Sequence, residues 1–189
     1  MAVNDPFLNT PGLGGQLSSL TGREPELSGL RQQIHVPLIF HVDDDPSIRK
    51  FTGLLLVHNG YRIRSFGDGD NALEALQTTT PDLLITDVMH PGWDGFDLIR
   101  AAADIVQDRR PRLMLVTAFM PGSWNDPHFE DIDVLWLIKP IRTWDLLNSV
   151  QHLIGKGAPR PIGAPTLSET LYSLNWEAEE IVPPFLVRS

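Results

Sequence analysis

The sequence contains no cysteine, no long apolar run and no excess of basic residues, and each absence removes a class of protein. Without cysteine among its 189 residues, the chain can form neither disulfides nor thiolate metal sites. No apolar stretch approaches the length of a membrane-spanning helix, and the N-terminus lacks the basic start and hydrophobic region of a secretory signal. The formal net charge is −9, which disfavours direct binding of nucleic acid. We therefore expect a soluble, cytoplasmic protein that contacts neither membranes nor nucleic acid directly.

Composition divides the chain into three segments. Residues 1–35 begin with a stretch rich in glycine and serine, which predicts a partly disordered N-terminal extension. Residues 36–155 alternate short apolar runs with helical patterns, which predicts an α/β domain whose parallel sheet is covered on both faces. Residues 156–189 begin with the linker KGAPRPIGAP, after which we predict a short helix and a tail.

Helical patterns occupy four stretches of the α/β domain, at about 46–58, 69–77, 96–107 and 143–154. Asp45 followed by Pro46 predicts the N-cap and first residue of the first helix. Within that helix Ile48, Phe51 and Leu55 share one side, which we predict to face the sheet. Upstream, His41 alternates with its apolar neighbours on a buried strand, which favours a packing role.

Five polar residues stand at or just past the C-terminal ends of predicted strands: Asp43, Asp44, Asp87, Thr117 and Lys139. In open α/β sheets that edge is where ligands bind. Three carboxylates close together repel one another unless a cation offsets their charge. Carboxylate oxygens suit Mg²⁺, which keeps some of its waters and leaves a position for a phosphate oxygen. The pattern therefore predicts a magnesium-dependent phosphoryl site.

Four motifs carry a resemblance to a known family: VDDDP at 42–46, DVMHPGWDG at 87–95, VTA at 116–118 and KP at 139–140. In this order, and at close to these intervals, they resemble the receiver domain of bacterial two-component response regulators, in particular single-domain receivers of the chemotaxis-regulator type. The resemblance covers residues 36–155. It implies a doubly wound, five-stranded parallel sheet with the flavodoxin-like order 2-1-3-4-5.

Carried over residue by residue, the resemblance implies a role for each carboxylate. Asp87 would accept the phosphoryl group, because an ionised carboxylate is itself the nucleophile that gives an aspartyl phosphate. Asp43 and Asp44 would hold Mg²⁺ together with Asp87, and the backbone carbonyl of Met89 would supply a further ligand.

The resemblance also implies roles beyond the carboxylates. Thr117 and Lys139 would contact the phosphoryl oxygens, and Thr117 would move with the phosphoryl group. Trp136 stands where the family has an aromatic side chain that changes rotamer on activation, although its place in an apolar strand is equally typical of core packing.

The function implied is that of a phosphoacceptor response regulator. Asp87 would receive its phosphoryl group from a phosphohistidine on a sensor histidine kinase or a histidine phosphotransfer protein, and the output would be an interaction with a downstream protein. Such a protein catalyses its own phosphorylation and dephosphorylation at Asp87 and is not an enzyme in the turnover sense.

One segment departs from the family. Between Thr117 and the last strand the family has a fourth helix, yet this chain reads AFMPGSWNDPHFEDID, in which Pro121, Gly122 and Pro127 interrupt any helical register. We therefore predict that the fourth helix is short or absent.

Two other functions fit part of the pattern. A constitutive interaction module could keep the receiver architecture and act without phosphate. A phosphatase similar to the haloacid dehalogenases would use Asp43, Asp45, Thr117 and Lys139, but no acidic pair follows Lys139 and Asp87 would have no role.

The C-terminal tail is apolar enough to require a packing surface. Thr166 and Glu169 form a capping-box pattern ahead of a short helix that would carry Tyr172 and Trp176, and the sequence IVPPFLV would then run extended. The tail could pack on the chain's own receiver surface, beside the segment that follows Thr117. Alternatively, it could pack on a partner protein or on a second copy, so that the extensions would form a homodimer.

Overall fold

The computed structural model describes residues 35–104, 110–118 and 132–187. Two predictions lie outside these residues: the N-terminal extension up to residue 34, and the short or absent fourth helix, which falls on 119–131.

Five parallel strands form the sheet in the described part of the chain. They are β1 (Leu38–Val42), β2 (Arg62–Phe66), β3 (Leu83–Asp87), β4 (Arg112–Thr117) and β5 (Val134–Ile138). Their order is β2-β1-β3-β4-β5, which confirms the predicted order 2-1-3-4-5. The chain therefore passes from one side of β1 to the other after β2, and the carboxyl ends of β1 and β3 lie next to each other at this crossover.

Helices cover both faces of the sheet. They are α1 (Pro46–His58), α2 (Gly69–Thr78), α3 (Gly95–Ala103) and α4 (Thr143–Ile154), followed by α5 (Leu167–Ser173) and a 3₁₀ turn at Pro184–Leu186. Apolar residues of α2 and α3 pack with one face of the strands, and those of α1 and α4 pack with the other. None of the helices in the described ranges has the length and hydropathy that a membrane span requires.

Local signals at both ends explain the bounds of α1. The Asp45 carboxylate accepts hydrogen bonds from the amides of Ser47 and Ile48, which confirms Asp45 as the N-cap. Asn59 follows the last turn, and Gly60 then adopts a φ of 88°, a backbone conformation that favours glycine.

The inner side of α1 differs from the prediction. Leu55 is buried, but Ile48 and Phe51 are exposed, with Phe51 retaining 56% of its accessible surface. The fully buried residues are Leu56 and Val57, so the helix turns a different stripe toward the sheet. The helix predicted at about 96–107 ends at Ala103, and residues 105–107 of that prediction lie outside the described residues.

The C-terminal segment, residues 156–187, packs on the receiver domain itself. Ile181 forms an antiparallel bridge with Ile63 of β2, through N–O distances of 2.9 and 2.7 Å. On one side of this bridge Trp176 lies against Gly53 of α1. The segment thus covers the edge strand β2 and α1. Strands β1 and β3 separate β2 from β4, which carries Thr117.

Details of this segment differ from the sequence prediction in two places. The capping box between Thr166 and Glu169 is confirmed. However, α5 ends at Ser173, so Trp176 lies beyond the helix, and a 3₁₀ turn interrupts the stretch that was expected to run extended. Ion pairs of Arg62 with Glu180 at 2.8 Å and of Arg64 with Glu179 at 2.6 Å flank the bridge.

Candidate functional site

Three carboxylates meet at the C-terminal edge of the sheet. Asp43 directly follows β1, Asp44 comes next, and Asp87 is the last residue of β3. One ligand oxygen from each lies within 4.8 Å of the others. Asp43 is 2% exposed, Asp44 is exposed and Asp87 is partly buried, so the group opens to solvent on one side. Such a cluster of hard oxygen donors fits Mg²⁺.

Lys139 supplies a positive charge to this cluster. It directly follows β5, and its ammonium donates to Oδ2 of Asp87 at 2.5 Å and to Oδ2 of Asp43 at 3.3 Å. Burial by itself would lower the pKa of Lys139, but the hydrogen bond to Asp87 and the charge of Asp43 outweigh it and raise the pKa above its usual value. The lysine is therefore an ammonium ion at neutral pH, held between two of the three carboxylates.

Hydrogen bonds to its backbone groups hold the loop after β1. The amide of Asp45 donates to Oδ1 of Asp43 at 2.9 Å, and the amide of Asp43 donates to the carbonyl of Phe66 on β2 at 3.2 Å. Nη1 of Arg49 donates to the carbonyl oxygens of Asp43 at 2.7 Å and of Asp44 at 2.9 Å. Arg49 was not among the predicted site residues, because its contact depends on a loop conformation that residue spacing does not specify.

The loop after β3 surrounds Asp87. The amide of Met89 donates to Oδ1 of Asp87 at 3.3 Å, whereas the role of the Met89 carbonyl as a metal ligand stays a prediction. The hydroxyl of Thr86 donates to the carbonyl of Asp87 at 2.8 Å. A Cβ atom on Gly95 would lie 2.1 Å from the same carbonyl oxygen, so only glycine lets α3 begin this close to the site.

Thr117 and Trp136 lie on the neighbouring strands. Thr117 is buried at the end of β4, and its carbonyl accepts from the amide of Lys139 at 2.7 Å, which brings the lysine to the site. The Trp136 ring is partly buried on β5, with its centroid 6.0 Å from that of Phe96 on α3. The structure thus brings Thr117 to the same edge as the carboxylates, and the proposed movements of both residues stay predictions.

His41 lies buried on β1, beneath the carboxylates. Burial, followed by the positive charges of Lys139 and Arg49, lowers its pKa from 6.5 to about 3. The imidazole is therefore neutral at physiological pH. Its burial agrees with the predicted packing role.

An apolar cleft adjoins the site on the α1 side. It has a volume of about 620 Å³ and is lined by Ile48 and Phe51 of α1 and by Lys139, Pro140 and Ile141 after β5. Two of the three α1 side chains that were predicted to face the sheet, Ile48 and Phe51, therefore form one wall of this cleft.

The strand order, the clustered carboxylates and the lysine bound to Asp87 define the class of this domain, an α/β receiver. The chain belongs to the response regulator receiver domain family, whose model matches residues 39–150. This match confirms the resemblance on which the site residues were predicted.

Individual relatives agree with this assignment. The response regulator receiver protein CpdR of Brucella abortus is 32% identical over 116 residues, which cover 61% of this chain and 95% of CpdR. The transcriptional regulatory protein AfsQ1 of Streptomyces coelicolor is 37% identical over 131 residues, which cover 65% of this chain and 53% of AfsQ1. Among solved structures, the chemotaxis response regulator CheY4 of Vibrio cholerae aligns with a TM-score of 0.57 at 26% identity, over 63% of this chain and 99% of CheY4.

Proposed function

We propose that this protein is a phosphoacceptor response regulator in which Asp87 receives a phosphoryl group from a phosphohistidine. The observation that carries the proposal is the contact of Lys139 with Oδ2 of Asp87 at 2.5 Å, within a cluster of three carboxylates. A structural ion pair alone would not require two further carboxylates beside it, since they repel one another at this distance.

The chemistry needs little beyond positioning. A carboxylate oxygen of Asp87 forms a bond to phosphorus as the P–N bond of the donor breaks, and the electron pair stays on the imidazole nitrogen, which takes up a proton. The Lys139 ammonium, already beside Asp87, offsets the charge on the phosphoryl oxygens, and Thr117 donates a hydrogen bond to one of them. Hydrolysis of the same acyl phosphate returns Asp87 to its resting state.

Mg²⁺ is the metal that we assign to this site. Asp43, Asp44 and Asp87 would hold it through carboxylate oxygens, with the carbonyl of Met89 as a further ligand. When bound, Mg²⁺ adds positive charge next to the transferring phosphoryl group.

The donor would be a sensor histidine kinase or a histidine phosphotransfer protein in the cytoplasm, and the cleft supports a protein as donor. Its apolar side chains, Ile48 and Phe51 among them, line the same cleft as Lys139, which contacts Asp87, so a donor that buries them would bring its phosphohistidine toward Asp87. We propose that the phosphorylated form then signals through a downstream protein. Up to two added negative charges would draw Thr117 inward and shift the Trp136 ring.

Intact mass measured after incubation with acetyl phosphate and Mg²⁺ tests the proposal. The wild-type protein should gain one phosphoryl group and Asp87→Asn none, whereas Asp145→Asn, an exposed carboxylate on α4, should label like the wild type. Full labelling of Asp87→Asn would contradict the assignment. An unlabelled wild type would favour the constitutive module.

The structure gives no support to a phosphatase of the haloacid dehalogenase type. That function needs Asp45 as an acid/base, but its carboxylate is engaged as the N-cap of α1. It also leaves Asp87 unused, although Asp87 makes the shorter of the two contacts to Lys139.

A further inference from the structure

Arg49 occupies a position that α1 by itself does not favour. It lies in the first turn of the helix, where the positive end of the helix dipole favours acidic side chains, and α1 has no acidic residue in that turn. A cation there opposes the local electrostatic preference, and exceptions of this kind concentrate at functional sites. What compensates Arg49 must therefore come from its contacts.

Those contacts are with the backbone that carries the predicted metal ligands. Nη1 of Arg49 donates to the carbonyl oxygens of both Asp43 and Asp44, at 2.7 and 2.9 Å. One guanidinium nitrogen thus joins two successive peptide groups and fixes their relative orientation. Asp44 is exposed, so little packing orients its side chain. The direction of its carboxylate therefore depends on this backbone.

Gly67, directly after β2, leaves space for the guanidinium of Arg49. Gly67 follows β2, and a Cβ atom there would lie 3.3 Å from Nη1 and 3.4 Å from Cζ of Arg49. Glycine leaves room for the guanidinium between the loops that follow β1 and β2.

The two cations of the site therefore have different partners. Lys139 contacts the carboxylate oxygens of Asp43 and Asp87, where a phosphoryl group would also be bound. Arg49 contacts the backbone carbonyl oxygens of Asp43 and Asp44.

We propose that Arg49 is a positioning residue for the metal site: it holds the Asp43–Asp44 backbone so that both carboxylates point at one ion. The inference rests on the proposed function, since it assigns Mg²⁺ to these carboxylates. A positioning role and charge alone predict opposite effects of removing Arg49 on Mg²⁺ affinity. Removing a cation near a Mg²⁺ site should strengthen Mg²⁺ binding by simple electrostatics, whereas loss of positioning should weaken it.

The test is calorimetric titration of the full chain with Mg²⁺, together with thermal melting in EDTA. Arg49→Gln should raise the Mg²⁺ Kd about tenfold or more, the usual effect of losing a group that orients metal ligands. Arg49→Lys keeps the charge and should recover part of the affinity. Gly67→Ala, which presses on the guanidinium without removing it, should raise the Kd by a smaller factor.

Lys50→Gln is the matched control. It removes the same charge from the adjacent position, where the side chain lies over the Trp176 ring at 5.4 Å instead of reaching the loop after β1. Its Kd should stay within about twofold of the wild type, because its contact is outside the site.

Each outcome decides between the inference and its premise. If the wild type binds Mg²⁺ and Arg49→Gln binds it equally or more tightly, Arg49 has no positioning role and the proposed function stands. If the wild type gives no binding heat, the metal part of the proposed function fails together with this inference. Should Arg49→Gln melt before titration, Gly67→Ala still decides, and an unchanged Kd in that variant contradicts the inference.

Discussion

Ile181→Ala measures whether the C-terminal segment is part of the folded receiver unit. Ile181 is 7% exposed and belongs to the apolar cluster that contains Tyr61 and Ile63. Truncating a buried isoleucine to alanine costs about 2–5 kcal/mol, and we take about 3 kcal/mol because a site at the margin of a domain can partly collapse. For a domain of this size that loss corresponds to a fall in Tm of about 6–12 °C.

The free energy of unfolding is measured by urea titration followed by circular dichroism. Neither Ile181→Ala nor its control changes a charge of the segment. Val187→Ala serves as the control, since Val187 is a branched aliphatic residue in the same segment but is 64% exposed. Its free energy of unfolding should lie within about 0.5 kcal/mol of the wild type.

A loss of less than about 0.5 kcal/mol in Ile181→Ala as well would refute the reasoning, because a segment that separates before the domain unfolds does not contribute to global stability. The flanking ion pairs of Arg62 and Arg64 cannot produce the larger effect by themselves, as partly exposed pairs contribute at most about 1 kcal/mol each. A loss of about 3 kcal/mol in Ile181→Ala would instead mean that the folded unit extends beyond the domain boundary that we predicted at residue 155.

Two further predictions concern the site. Asp44→Ala should raise the Mg²⁺ Kd at least about tenfold while leaving the metal-free protein within about 0.5 kcal/mol of the wild type, since Asp44 is exposed and its removal relieves repulsion; a large loss of stability in EDTA would contradict this. His41→Leu should remove a pH dependence of the free energy of unfolding. The pKa of His41 is about 3 in the folded protein and 6.5 in the unfolded chain, so only the unfolded chain takes up a proton as pH falls below 6.5. Between pH 7 and pH 5 in metal-free buffer, wild type should therefore lose about 2 kcal/mol more unfolding free energy than His41→Leu, and parallel urea curves would count against the buried neutral imidazole.

Much of the site followed from the sequence because parallel strands carry their carboxyl ends to one edge. Once the apolar runs were identified as strands, Asp43, Asp87 and Lys139 were expected at the same edge, and the strand order implied by the family resemblance placed β1 beside β3. The bounds of α1 were equally accessible, since Asp45 and Pro46 at its start and Gly60 after its end are local signals.

Facts that depend on packing did not follow from the sequence. The run Leu54 to Val57 supplies apolar residues on several sides of α1, so spacing alone did not identify the stripe that faces the sheet, and Ile48 and Phe51 were placed inward when they line the cleft. The bridge between Ile181 and Ile63 of β2 joins residues more than a hundred positions apart. No residue pattern within IVPPFLV identifies β2 as its partner.

Helix α1 joins these observations, because its two ends serve different neighbours. At the N-terminal end, Arg49 holds the loop that carries Asp43 and Asp44. Toward the other end, the helix packs with the C-terminal segment, with Trp176 against Gly53. Because the hydrogen-bond partners of Arg49 lie in the loop after β1 and the bridge partner of Ile181 lies on β2, their substitutions should act independently. Ile181→Ala should lower stability without changing the Mg²⁺ Kd, Arg49→Gln should raise the Kd, and the double variant should show both changes at full size. A Kd that moved with Ile181→Ala would instead mean that the C-terminal segment acts on the metal site through α1.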